Sequence, residues 1–268
     1  MTEDELFITA ILNCSRSELY TRPVQLNDEQ NEQFEVMKWR RAAGEPVQYI
    51  CGFTEFMGHR MEVGPGVLVP RPETEVLVDA VLQTFKAEGQ GAPFMLDIGT
   101  GSGCIPISLL KEVPGARAVG LDVSPDALGY ARRNASLNGV SDRLEFIERD
   151  VFWYMDETRH RFDAVITNPP YIPTFQLGGL PVDVRREPEL ALDGGPDGLH
   201  FYRFIVPTAW RVLKGGGLIA LEFGDGQRKE LENLLAITGG WDKIQVLKDN
   251  AGRNRVIIAR KMKGPENG

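Results

Sequence analysis

The spacing of apolar residues changes twice along the chain, and each change marks a different kind of element. Up to Gly44 the spacing is helical. Ser15 followed by Glu18, and Asn27 followed by Gln30, have the reciprocal arrangement of a helix capping box. The second box opens a segment with Phe34, Met37 and Arg41 that is expected to stop near Gly44, with Pro46 just beyond. "YICGFTEFMGHRMEVGPGVLVP" then breaks into short alternating or aromatic pieces separated by glycine, which predicts a β-hairpin connector. From Pro72 onward helices and strands alternate. "FMLDIG", "ARAVGLDV", "RLEFIERD", "FDAVITN", "GGLIALEFG", "DKIQVLKD" and "RVIIARK" read as seven strands. "ETEVLVDAVLQTF", "CIPISLLKE", "PDALGYARRNASLNG", "GLHFYRFIVPTAWRVL" and "QRKELENLLAIT" read as helices, the third opened by Ser124 as N-cap and Pro125, the fourth interrupted by Pro207.

This alternation predicts an α/β fold with a mostly parallel, doubly wound sheet and helices on both faces. The last two strands are separated only by "NAGRN", too short for a parallel crossover, so they are expected to pair antiparallel. The expected organisation is a helical unit over 1–45, a hairpin connector over 46–71 and the α/β domain over 72–268, with "KMKGPENG" as a disordered tail.

Composition narrows the function. At 42% hydrophobic and 25% charged residues the core is large enough to need no disulfide or metal. The three cysteines are scattered without a C-x-x-C pair and there are only three histidines, so no metal site is expected. The apolar stretches are strand-length and the start is acidic, so neither a membrane span nor a signal peptide is expected, and a reduced, cytoplasmic protein is. A net charge of −8 argues against a protein whose main task is gripping nucleic acid.

"LDIGTGSGC" follows the first strand of the α/β domain and opens a helix. Gly99, Gly101 and Gly103 let the backbone turn tightly and approach a ligand, although a purely structural turn would also use them. Asp122, about 20 residues on at the end of the next strand, can accept both hydroxyls of a ribose. The spacing is G-x-G-x-G with an acid, Asp97, inside the motif, rather than the G-x-G-x-x-G of a dinucleotide site. It resembles the version that holds S-adenosylmethionine (SAM). Asp150 closes the third strand, where an adenine would lie, or is simply an exposed strand-end carboxylate.

"ITNPPY" leaves the fourth strand in the crevice where open α/β sheets bind ligands. Pro169 and Pro170 fix their own φ and carry no N–H, and Asn168 before them is held extended. The joint therefore offers carbonyl acceptors without competing donors, the side-chain carbonyl of Asn168 and the aromatic face of Tyr171. Such a set is a receptor for a planar –NH2 group, which could be an amide or the amino group of a base.

With both motifs in place the sequence resembles the release factor glutamine methyltransferases, the HemK/PrmC family. The resemblance spans nearly the whole chain and includes "GEPVQYICGFTEFMG", "LVPRPETE", "LDIGTGSGCI", "TNPPYIP", "REPELALDGGPDGL" and "AGRNRV". It implies a seven-stranded Rossmann-like SAM methyltransferase sheet, with a small N-terminal helical domain joined by a β-hairpin connector. It also implies SAM-dependent methylation of the glutamine amide nitrogen in the GGQ motif of class I peptide chain release factors, leaving S-adenosylhomocysteine. On this resemblance Gly99, Thr100, Gly101, Ser102, Gly103, Asp122 and Val151 would hold the cofactor, together with Asp97, Asp150 and Asn168. Asn168, Pro169, Pro170 and Tyr171 would hold the glutamine, and no metal, direct nucleic-acid contact or membrane is implied. Some families carry an aromatic residue where Val151 stands. Arg71 and Glu73 would brace the site or form an ion pair. The N-terminal helical unit is shorter than the family's pattern before "EDELFITAIL", which bears on docking of the release factor rather than on chemistry. The alternatives are an amino methyltransferase acting on adenine or guanine in DNA or RNA, and a SAM-binding module without activity.

Overall fold

Strands that place alternate residues on opposite faces need cover on both sides, and the helices between them supply it. The computed structural model describes residues 2–21 and 25–263. Its sheet strands are β3 (Phe94–Ile98), β4 (Arg117–Asp122), β5 (Leu144–Glu148), β6 (Phe162–Thr167), β7 (Leu213–Glu222), β8 (Trp241–Lys248) and β9 (Asn254–Lys261). They lie in the order β5-β4-β3-β6-β7-β9-β8, parallel from β5 to β7, with β9 antiparallel to both of its neighbours. The expected mostly parallel sheet and its antiparallel closing pair are both present.

Alternation along the strands sorts the core into two layers. Met95, Ala118 and Ile166 face one side and pack with Leu77, Val81 and Phe85 of α5 (Pro72–Ala87), Ile107 and Leu110 of α6 (Cys104–Glu112) and Ala135 of α7 (Pro125–Leu137). Leu96, Val119 and Val165 face the other, against Tyr154 and Met155 of α8 (Val151–Glu157), Tyr202, Ile205 and Val206 of α9 (His200–Val212) and Leu231 and Leu235 of α10 (Arg228–Thr238). Each fully buried leucine or phenylalanine contributes about 1.5–3 kcal/mol, so the two layers carry the fold. Strand order reverses at β3, which has β4 on one side and β6 on the other. That switch point opens a crevice at the C-terminal strand ends.

Ahead of the sheet come α1 (Glu3–Leu12), α2 (Arg16–Thr21), α3 (Asp28–Ala42) and α4 (Val47–Cys51), then the hairpin of β1 (Phe53–Phe56) and β2 (His59–Glu62). Both predicted capping boxes form: Ser15 N donates to Glu18 at 2.8 Å, and Asn27 and Gln30 exchange bonds of 3.0 and 2.9 Å. Met57 and Gly58 turn the hairpin with φ of 51° and 72°, the paired positive values of a type I′ turn. The N-terminal helices are tied to the loop after β6. Arg41 lies 3.5 Å from Asp183, and Arg186 donates to the Ala43 carbonyl at 3.2 Å.

Three local expectations change. The connector begins with helix α4 rather than with extended chain, because Pro46 starts a turn whose amide donors reach back to its carbonyl. Helix α8 fills the stretch between β5 and β6 where no helix was expected. Lys261, placed in the disordered tail, closes β9 and donates to the Trp210 and Leu213 carbonyls at 2.6 and 2.8 Å, while 264–268 lie outside the described residues. Among the described residues no helix is long and apolar enough to cross a membrane.

Candidate active site

A cavity of about 280 Å³ fills the crevice at the switch point. It brings together Gly99, Thr100, Gly101, Ser102, Asp122, Asp150, Val151, Asn168, Pro169 and Pro170 from the ends of four strands, β3, β4, β5 and β6. Asp97, Gly103 and Tyr171 do not line it and stand immediately behind its wall.

The glycine loop is strapped to the neighbouring strand by its backbone. Gly99 N and Thr100 N both donate to the Leu121 carbonyl, at 2.8 and 2.9 Å. At Gly103 φ is +80°, and a Cβ would sit 3.0 Å from Ile107 Cδ1 and 3.3 Å from Ala131 Cβ, so this glycine lets α6 pack on α7. At Gly99 a Cβ would meet nothing within 4 Å, because that side opens on the cavity. The loop is thus a cradle with vacant reach toward a ligand. Asp122 fixes its far end, accepting from Gly101 N at 2.8 Å and Ser124 N at 2.9 Å. Burial raises the Asp122 pKa and these backbone donors oppose the rise. Each carboxylate oxygen keeps a second lone pair for a ligand hydroxyl.

Below the loop, Asp97 is 1% exposed and neither of its oxygens has a hydrogen-bond partner among the described residues. The Thr100 hydroxyl faces it outside full bonding geometry and favours the charged form, but burial dominates and pushes the carboxyl up to about 8. Asp150 caps α8, its Oδ1 accepting from Phe152 N at 2.8 Å. That cap turns the Phe152 ring into a cavity wall, braced by Phe204 at 4.5 Å between centroids.

The opposite wall is the joint after β6. Asn168 Nδ2 donates to the hydroxyl of Thr74, in the first turn of α5, at 3.1 Å. The amide's donor end is thereby engaged and its Oδ1 is left to accept. The carbonyls of Pro169 and Pro170 accept no hydrogen bond among the described residues. Tyr171 is held from behind, its carbonyl accepting from Gln227 Nε2 at 3.0 Å and its ring close against Gly224. Burial pushes its phenol up to about 12. A Cβ at Gly194 would lie 2.7 Å from Tyr171 Cα, so the "DGGPDG" stretch needs glycine to seat against the joint.

Arg71 and Glu73 each form an ion pair, but with other partners than each other. Arg71 pairs with the buried Glu187, which also accepts from Val69 N at 3.0 Å, and Glu73 lies 3.4 Å from Arg253 of "AGRNRV". Burial raises the Glu187 pKa and Arg71 pulls it back. Thr74, Phe152, Phe201 and Leu190 also line the cavity and were not singled out in the sequence. Thr74 carries a usable signal: it lies on the buried helical stripe of Leu77, Val78 and Val81, where a lone hydroxyl needs a partner. The acceptors at Asp122 suit a hydroxylated molecule on one wall, and those of the joint after β6 suit an –NH2 group on the other.

Two family models match the chain, Methyltransferase small domain over residues 73–176 and PrmC N-terminal domain over 2–52. Curated relatives named release factor glutamine methyltransferase include those of Moorella thermoacetica (46% identical over 82% of this chain and 76% of the relative) and Thermodesulfovibrio yellowstonii (38%, 97% and 92%). That of Geobacter sulfurreducens is 41% identical over 96% of this chain and 88% of its own length. Among solved structures, a Thermus thermophilus 16S rRNA methyltransferase in complex with AdoMet and guanosine superposes with a TM-score of 0.57 at 24% identity, over 78% of this chain and 49% of that one. At that identity it shares the fold alone.

Proposed function

The chain belongs to the release factor glutamine methyltransferase family, and on that premise we propose how its residues methylate the glutamine amide of the GGQ motif in class I release factors. The observation that carries this reading is the Asn168–Thr74 hydrogen bond, which turns the amide's donor end toward Thr74 and leaves Asn168 Oδ1, beside the Pro169 carbonyl that is unpartnered among the described residues, to accept from one –NH2 group. SAM, when bound, supplies a methyl group made electrophilic by its sulfonium. Gly99 to Gly103 would cradle it, Asp122 would accept ribose hydroxyls, and Asp150, Val151 and Phe152 would form the adenine wall.

An amide nitrogen is a poor nucleophile because its lone pair is delocalised. Two acceptors on its N–H bonds favour pyramidalisation and aim the lone pair across the cavity. Orientation of this kind is worth roughly 7–11 kcal/mol in favourable cases. The nitrogen loses one proton to water after it gains the methyl, so no general base is needed. Tyr171 acts from behind, fixing the carbonyls through its own packed backbone. Residues 1–45 would dock the release factor, 46–71 would connect and 72–268 would carry the chemistry, in the cytoplasm where translation runs.

The test is methyl transfer from labelled SAM to release factor, to the same factor with its GGQ glutamine changed, and to nucleic acid. Label on the intact factor alone is expected, consistent with the net charge of −8. Label on the glutamine-less factor, or preferentially on nucleic acid, would overturn the assignment.

A further inference from the structure

Behind the amide receptor lies a carboxyl that the mechanism above does not use. Glu222 closes β7, is 0% exposed, and neither side-chain oxygen reaches a donor in full hydrogen-bonding geometry among the described residues. Polar groups of several neighbouring elements act on it. From α5 come the Thr74 hydroxyl and the Glu73 carboxyl, and from the joint after β6 the Tyr171 hydroxyl. From β9 comes the Arg255 guanidinium, from α6 the Cys104 thiol, and from α9 the hydroxyl of Tyr202, which donates to the Glu222 backbone carbonyl at 2.7 Å. Arg255 does not neutralise Glu222 directly. Its Nη1 donates to the Phe223 carbonyl at 2.9 Å and its Nη2 lies 3.4 Å from Asp249. Burial pushes the Glu222 carboxyl up to about 7, against the pull of Thr74 and Arg255 and with a push from Glu73.

The hydroxyl of Thr74 has one proton and accepts from Asn168 Nδ2 at 3.1 Å, while Glu222, the residue after the Leu221 that pairs with Thr167, comes up beside Asn168 and feels the same hydroxyl. A charged Glu222 can only accept, so it draws the Thr74 proton and leaves the Thr74 oxygen to accept from Asn168 Nδ2. Asn168 Oδ1 then faces the cavity. A protonated Glu222 can donate to Thr74 instead, which frees the Thr74 proton for Asn168 Oδ1. The amide then turns its –NH2 toward the substrate –NH2, donor against donor.

We propose that Glu222 is a positioning residue that acts through Thr74 to fix the sense in which the Asn168 amide faces the substrate. This rests on the amide-receptor reading. The incomplete hydrogen-bonding geometry around Glu222 fits a relay that tightens when substrate fills the cavity.

The experiment measures kcat for the full chain with release factor and SAM at saturation, between about pH 6 and 9. Wild type, Glu222→Gln, Thr74→Val, the double variant and Asn168→Ala are compared, with SAM affinity followed by calorimetry. In wild type kcat should fall roughly tenfold per pH unit on the acid side of the Glu222 pKa. Glu222→Gln should flatten that limb and lower the plateau, with KM and SAM affinity changed less than about twofold. The double variant should be no worse than the poorer single, since both break one relay. A wild-type profile without an acid limb, a limb that survives in Glu222→Gln, or additive losses would overturn the proposal while the receptor stands. Asn168→Ala at the wild-type rate would remove the receptor itself. The wild-type profile and Thr74→Val decide the matter even if Glu222→Gln fails to fold.

Discussion

Asp122 and Asn168 stand at strand ends on opposite sides of β3, and they are held in different ways. Asp122 is fixed by backbone amides of its own turn and of the loop after β3, so its position follows from two adjacent parallel strands. Asn168 is fixed by Thr74 from α5, and its neighbour Tyr171 by Gln227 and by the glycines at 194 and 198. On the proposed reading, the cofactor wall is thus a local structure made largely of main chain. The proposed receptor wall is an assembly of side chains from remote segments. Main-chain sites tolerate substitution around them, whereas a receptor built by long-range packing can be lost through any one contributor.

If that contrast holds, the largest effect falls on the receptor wall. Asn168→Ala should lower kcat by about a hundredfold to a thousandfold, the range found when one preorganised polar contact to the reacting group is removed. SAM affinity should stay close to the starting value, because the lost acceptor faces the amide. Asn168→Asp keeps an acceptor and should retain more activity than alanine. Single-turnover methylation beside calorimetry separates the two quantities, and equal losses in both would erase the distinction between the walls.

Asp122→Ala is the matching change on the cofactor wall. A carboxylate accepting ribose hydroxyls makes charge-assisted bonds of about 1.5–3 kcal/mol, so SAM binding should weaken roughly tenfold or more. Gly101 N and Ser124 N lose their acceptor as well, so Asp122→Asn, which keeps one, should fall between. Unchanged affinity in the alanine variant would remove Asp122 from the site.

The same contrast explains what could be read from the sequence. The strand order, the antiparallel closing pair and the glycine loop follow from periodicity and short spacings, which local backbone geometry obeys. Thr74 was passed over because its meaning depends on Asn168, 94 positions away. Arg71 and Glu73 stand two apart at a helix start, where side chains do not face each other, so their partners had to come from elsewhere. Helix α8 was hidden because Asp150 ends one strand signal and caps the next element at once, and "VFWYMDE" is too short to show a clear period.

Docking should respond less than chemistry. Trp39 is 73% exposed and Val36 51% exposed on α3, three positions apart and so on one helix face of the N-terminal unit. If that unit holds the release factor, Trp39→Ala should raise KM for the factor about three- to tenfold, the cost of a moderate interface anchor. SAM affinity and kcat should be unaffected. A double Trp39→Ala, Val36→Ser variant with unchanged KM would move docking to another surface.

The smallest effect concerns Asp97, which gives the cofactor wall its own unpartnered acid. Its folded pKa of about 8 lies above the unfolded value, which is close to 4, so the folded chain binds the extra proton throughout that window. Stability from this group is therefore fully present at acid pH and is lost as pH rises toward and through about 8. Asp97→Asn abolishes the titration while keeping the shape, so it should raise Tm by a few degrees above about pH 8 and by little near pH 5. The gain is held small because the surroundings of a buried charge relax and screen it well beyond the dry-protein limit. Thermal melts of both forms without ligand, at matched ionic strength, give the sign directly. A gain that is constant with pH would mean that the amide merely packs better. A gain that grows toward acid pH would mean that Asp97 is stabilised in its charged form, and the loop above it would then rest on an ion rather than on a neutral acid.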